Sequence, residues 1–209
     1  MAVSVIIPAY NEESVIETTL KSIPENVQKI VICNACTDKT AEIARKYAEV
    51  VELPKKGVSY ARNVGVKMAK HDKLVFLDAD IQLDNKTIPS IIKTNANIGT
   101  TKVKADSKNL IHKIMMFLKS NTHWIGFSTG LVFCTKEIYD KVGGFDESMV
   151  IHEDGKFLRS GKKIGKYKIL NSFVYNNMRR YRKKGFLKIA YYWVKETLFF
   201  SGKDYEAIR

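Results

Sequence analysis

Leu74-Val75-Phe76-Leu77-Asp78-Ala79-Asp80 is an apolar run that stops abruptly at two carboxylates. Four consecutive large apolar residues suit a strand buried on both faces, as in a parallel sheet covered by helices on each side. Working outward, comparable runs occur at residues 3–7, 29–33 and 50–53. The segments between them carry helical spacing. Val15, Ile16, Thr19, Leu20 and Ile23 share one side, behind Asn11 as N-cap and Glu12 and Glu13 in the first turn. Residues 38–48 place Ala41, Ala44 and Ala48 together, and a helix over 58–69 opens at Gly57. This alternation predicts an α/β fold: a mostly parallel, Rossmann-like twisted sheet with helices on both faces.

Farther along, residues 87–92 and 110–118 read as helices and 100–104 and 129–134 as strands. A helix to about Val142, a turn at Gly143-Gly144 and a helix over 151–160 follow. In such sheets ligands bind beyond the carboxyl ends of the strands, so residues 8–12, 34–38 and 78–80 are the places to look. In extended backbone, residues two apart point the same way, so Asp78 and Asp80 can share a hard cation. Mg²⁺ or Mn²⁺ takes oxygen ligands and completes its shell with phosphate oxygens.

Length and composition frame this reading. The 209 residues are 45% hydrophobic and 27% charged, which excludes a disordered or collagen-like chain and fits one domain with a small appendage. The 35 Lys and Arg outnumber 22 Asp and Glu, for a net charge of +13. The excess is local: residues 1–154 hold 20 basic and 19 acidic side chains, and residues 155–209 hold 15 and 3. Cys33, Cys36 and Cys134 are the only cysteines, an odd, sparse set that suits a reducing, cytoplasmic compartment. The Cys33-x-x-Cys36 spacing lacks a second ligand pair for zinc, and His71, His112 and His123 show no metal-ligand spacing. The N-terminus reads as a strand, not a signal peptide, and no apolar run is long enough to span a bilayer.

Five segments, in order, resemble the family 2 inverting glycosyltransferases, which have the GT-A fold. Val3-Ser4-Val5-Ile6-Ile7-Pro8-Ala9-Tyr10-Asn11-Glu12-Glu13 is similar to that family's opening strand and Pro-x-Tyr-Asn-Glu turn. Asn34-Ala35-Cys36-Thr37-Asp38-Lys39-Thr40 stands at the place of its second loop. Gly57-Val58-Ser59-Tyr60-Ala61-Arg62-Asn63-Val64-Gly65 is similar to its Gly-x-x-x-Ala-Arg-Asn-x-Gly helix start. The Asp-x-Asp is the fourth. Gly143-Gly144-Phe145-Asp146-Glu147, followed by Glu153-Asp154 and Arg159, is the fifth. The resemblance covers about residues 1–175.

The resemblance implies a nucleotide-diphosphate sugar as donor. Pro8, Ala9, Tyr10 and Glu12, with Asn34, would hold the nucleoside; Gly57, Arg62, Asp78 and Ala79 would line the rest of the donor, Arg62 as a fixed cation near phosphate. Asp80, with Asp78, would hold Mg²⁺ or Mn²⁺ on the diphosphate. Asp154 would be the general base that deprotonates an acceptor hydroxyl for direct, inverting attack, an effect worth ~10²–10⁴ in rate. Glu153 and Arg159 would face acceptor or phosphate. One departure stands out: the family's second loop begins with carboxylates, and here Cys33 and Asn34 replace them. Asn34 still offers a donor and an acceptor to a base edge. The replacement keeps open a second reading, a nucleotide-sugar-binding protein with reduced or lost catalysis.

Residues 176–209 form a basic amphipathic segment. Arg179-Arg180-Tyr181-Arg182-Lys183-Lys184 packs five cations into six positions. In helical spacing Phe186, Ile189, Ala190, Trp193, Thr197 and Phe200 then share a face. Two readings stay open: a C-terminal helix packed on the sheet, or a helix lying on an anionic membrane surface near a lipid-linked or glycan acceptor. Arg179 and Arg180 could also reach back to a diphosphate or phosphorylated acceptor. No RNP, zinc-finger or helix-turn-helix signature accompanies the charge, which argues against nucleic acid.

Overall fold

A computed structural model describes residues 2–121, 129–149 and 151–185. The amphipathic stretch from Phe186 onward lies outside the described residues. The described chain runs β1 (Val3–Ala9), α1 (Ile16–Lys21), β2 (Gln28–Asn34), α2 (Thr40–Ala44), β3 (Glu49–Leu53), α3 (Val58–Met68), β4 (Lys73–Leu77), β5 (Ile81–Leu83) and α4 (Thr87–Lys93). It continues through β6 (Ile98–Ala105), α5 (Leu110–Asn121), β7 (Leu131–Thr135), α6 (Lys136–Val142), α7 (Glu153–Ile164), β8 (Tyr167–Asn176) and α8 (Arg179–Lys184).

One eight-stranded sheet takes the order β3-β2-β1-β4-β7-β6-β8-β5. Strands β3, β2, β1 and β4 are mutually parallel, as the alternating pattern predicts. β7 runs against β4 and β6, and β5 runs against β8, while β6 and β8 are parallel. The sheet is therefore mostly parallel with two reversed strands.

Side-chain alternation divides the core. Val3, Val5, Ile7 and Ala9 of β1 join the cluster under α1, α2, α4 and α5, whereas Ile6 joins the cluster under α3, α6 and α7. Helices thus cover both faces, and the central strands must be apolar throughout. Two glycines mark close approaches, Gly65 between layers and Gly99 between neighbouring strands of the sheet. A Cβ on Gly65 would lie 2.3 Å from Cγ2 of Ile6, so α3 sits directly on β1. One on Gly99 would lie 1.9 Å from the Lys168 carbonyl oxygen and 2.6 Å from the Phe133 ring.

The chain order reverses between β1 and β4: β2 and β3 are laid to one side of β1, β4 to the other. This is the switch point at which open α/β sheets form a crevice. The strands also part there. β1 pairs with β4 only through Ile6, but with β2 through Ala9. Pro8, which has no N–H to give, sits beyond the last β4 rung.

Candidate functional site

Three loops meet at this crevice. The first follows β1, and its helix begins later than the sequence predicts. Asn11 is not an N-cap: it adopts φ 52°, and its Oδ1 accepts from Thr37 N at 2.8 Å while α1 starts at Ile16. The competing partner on the second loop outbids the local cap. Glu12 N donates to Thr40 Oγ1 at 2.8 Å and Glu13 N to Asp38 Oδ2 at 3.1 Å, so the first and second loops are stitched together backbone to side chain. Tyr10 is half-buried beneath Lys56, whose Nζ lies 4.4 Å from the ring centroid, next to Gly57 at the start of α3.

Asn34 ends β2, and its Oδ1 is buried without a hydrogen-bond partner among the described residues. Such an orphan costs desolvation free energy unless something outside the chain supplies a donor. Beside it, the Cys33 thiol is pushed up, by its hydrogen bond to Cys36 and by burial. The same bond pulls Cys36 down to about 7.

The Asp-x-Asp departs from strand geometry. β4 ends at Leu77, and the backbone turns through Ala79 and Asp80, with Ile81 N donating to Asp78 O at 3.2 Å. A turn, not extended alternation, links the two residues, and the Asp80 charge acts on the Asp78 carboxyl. Thr19 Oγ1 on α1 holds the Ala79 carbonyl at 2.8 Å, and Asp78 N donates to Gly130 O at 2.9 Å.

Arg62 lies at the centre. From α3 its Nη1 donates to Glu153 Oε1 at 2.6 Å and its Nη2 to Asp78 Oδ1 at 3.0 Å. Its guanidinium carbon lies 5.0 Å from the centroid of the Phe145 ring. Burial works against the cation, but Glu153, Asp78 and Asp154 outweigh it and raise the Arg62 pKa. Both carboxylates are pushed up, first by burial and with Asp154 adding its charge, while Arg62 opposes. The Asp78 side chain still keeps 42% of its surface accessible, so it is enclosed by protein yet open on one side. Glu153 is sealed at 10%.

Asn63, next to Arg62, fixes the fifth motif. Its amide accepts from Phe145 N at 2.9 Å and from the Tyr139 hydroxyl at 2.8 Å, and donates to Phe145 O at 2.9 Å. The Gly-Gly-Phe turn thereby delivers α7, whose first residues are Glu153 and Asp154. His152, just before them, is left-handed at φ 62°. Among the described residues, the left-handed non-glycine residues are Asn11, Ala35 and His152, in the segments after β1, after β2 and before α7. Sequence reasoning did not foresee this; strained backbone of this kind concentrates at ligand sites.

The last predicted residues divide. Arg179 reaches back, donating through Nη1 to Ser14 Oγ at 2.9 Å and through Nη2 to the buried Glu12 carboxylate. Arg159 is exposed on α7. The Arg180 side chain is outside the described residues. No group of three or more His, Cys, Asp or Glu side chains forms a ready-made metal cage among the described residues. A cation at Asp78 and Asp80 would depend on ligand oxygens for the rest of its shell.

A crevice at the switch point of a mostly parallel sheet, acidic at one strand end and stitched by charged side chains, places the protein in the GT-A fold class. The sequence profile of Glycosyl transferase family 2 matches residues 4–141, and the chain belongs to that family. An uncharacterized glycosyltransferase of Mycobacterium tuberculosis is 34% identical over 92 residues, spanning 44% of this chain and 42% of that relative. The chain thus matches less than half of that relative's length. In fold, residues 1–349 of S. aureus TarS in complex with UDP-GlcNAc superpose with a TM-score of 0.70 at 22% identity, covering 86% of this chain and 59% of TarS 1–349. The mannosyltransferase PcManGT from Pyrobaculum calidifontis, in complex with GDP-Man and Mn²⁺, gives 0.67 at 19%, covering 90% and 59%.

Proposed function

We propose that the protein transfers a sugar from a nucleotide-diphosphate sugar to a hydroxyl or lipid-phosphate acceptor with inversion, Asp154 acting as base. The observation that carries this reading is the Arg62 bridge, which holds the acidic end of β4 and the Glu153-Asp154 start of α7 around one point. Asn34, with its unpartnered Oδ1, takes an imino or amino hydrogen of the base. Asp80 and Asp78 fit a cation that shares phosphate oxygens; when bound, Mg²⁺ or Mn²⁺ supplies charge neutralisation for the departing nucleoside diphosphate. Arg62 is committed to Glu153 and Asp78, so it acts as the strut that sets their separation rather than as a free phosphate ligand. Glu153 anchors that strut from α7. Asp154 takes the acceptor proton as the hydroxyl attacks the anomeric carbon, and one displacement inverts the centre.

A panel of nucleotide sugars with Mn²⁺, read for donor turnover, tests the reading. Asp80→Ala should lose metal-dependent turnover, and Asp154→Asn should lose transfer to hydroxyls. Retained transfer in Asp154→Asn would point to an acceptor already ionised, such as a lipid phosphate. The Asn34 replacement favours the second reading if nucleoside diphosphates raise the melting temperature while every donor stays intact.

A further inference from the structure

Among the described residues, helix α5 carries an exposed apolar face. Leu110, Ile111, Ile114, Phe117 and Leu118 are each between 50% and 69% exposed. At 3.6 residues per turn they fall within roughly 120° of the helix circumference. The helix is seated on its other side: Met116 is buried in the core with Val103, and Ser120 Oγ accepts from Val103 N at 3.2 Å. The exposed stripe is therefore not a helix turned the wrong way round. Isolated exposed apolar residues are ordinary, but five on one face mark a docking surface.

Its charge indicates what docks. Residues 107–121 contain Lys108, Lys113 and Lys119 and no Asp or Glu. An isologous contact with a second copy would set these lysines near their own counterparts, with no carboxylate on the helix to pair them. An anionic lipid surface satisfies both features, taking the apolar side chains among its acyl chains and the lysines among its headgroups. The location is also informative. The charge of Lys119, in the last turn of α5, acts on the Asp78 carboxyl, so one end of the stripe adjoins the crevice.

We infer that the exposed face of α5 docks the protein on an anionic lipid surface, with the crevice opening toward molecules carried in that surface. The docking stands apart from the proposed transfer reaction; only the delivery of a lipid-borne acceptor rests on it.

Flotation of the full chain with vesicles tests the docking. The chain should float with phosphatidylcholine vesicles containing phosphatidylglycerol and remain below with phosphatidylcholine alone. Ile114→Gln/Phe117→Gln/Leu118→Gln should lower the bound fraction at least tenfold with an unchanged melting temperature. Leu110→Gln/Ile111→Gln reads the same face at its other end, should the triple variant fold poorly. Flotation of both variants at the level of the parent overturns the inference. So does a parent chain that light scattering shows to be dimeric without lipid and that the variants convert to monomer, since the face is then a protein interface. Loss of flotation in the variants, with no sugar transfer from any donor by the parent chain itself, leaves the docking standing and removes the transfer reading instead.

Discussion

Replacing Arg62 with methionine keeps much of the volume and removes the charge that joins two loops. Two ion pairs disappear. The Glu153 pair is sealed, with side chains 6% and 10% exposed, and breaking such a pair costs about 3–5 kcal/mol because the surviving carboxylate stays buried. The Asp78 pair is open at 42% and adds at most about 1 kcal/mol. The loss should also depend on pH. Burial already raises Glu153 above its ordinary value of 4.5, and Arg62 holds it back. Without Arg62 it climbs further, so between 4.5 and the new value the folded variant binds more protons than its unfolded chain. Stability then falls as pH rises through that window, at about 1.4 kcal/mol for each unit of displacement. Urea unfolding in the presence of a chelator, followed by circular dichroism, should show a larger deficit at pH 8 than at pH 5. A deficit under about 1 kcal/mol at pH 8, or one equal at both pH values, would refute the bridge as the strut of the site.

Three further outcomes follow from the geometry. Gly99→Ala should cost more than about 2 kcal/mol, since the new methyl meets the Lys168 carbonyl and not a flexible side chain; a melting temperature within a degree of the parent contradicts that packing. Cys36 should be half-maximally alkylated by iodoacetamide near pH 7, thiolate being populated above that value, with the buried Cys33 and Cys134 labelled only after unfolding; a midpoint near an ordinary thiol's ~8.5 contradicts the Cys33 hydrogen bond. Arg179→Ala should destabilise by about 1–3 kcal/mol in thermal melts, and Arg179→Lys should restore only part, because one ammonium does not reproduce the fork to Ser14 and Glu12.

Much of the N-terminal half was legible because its strands are buried on both faces. β1, β2 and β4 are apolar runs that no other environment explains, and α3 announces itself by Gly57 and its periodic small residues. β5 and β8 escaped for the opposite reason. Ile81–Leu83 is three residues long and follows Asp80 without punctuation, and Tyr167–Asn176 is partly exposed with a register shift opposite Thr101 and Lys102. Lys73 opens β4 although buried, because its ammonium donates to the carbonyls of Ile91 in α4 and of Thr94 just after it, at 2.7 and 3.0 Å, partners no local pattern reveals. The site was legible as residue types at strand ends but not as connections. Nothing in the spacing of Arg62, Asp78 and Glu153 says that one guanidinium spans both acids, or that Asn11 abandons its helix for Thr37. Those facts depend on which loops the sheet order brings together.

The contact between Arg179 and Glu12 also sets a timetable. The two residues are 167 positions apart in the chain. At roughly 5–20 residues per second of synthesis, the arginine is made about 8–33 seconds after the glutamate it neutralises. The first loop can pair with the second as soon as β2 and α2 have emerged from the ribosome, since Asn11, Glu12 and Glu13 find Thr37, Asp38 and Thr40 within a few dozen residues. This side of the nascent crevice is thus assembled early and locked late, with its last counter-charge arriving only when α8 has been translated.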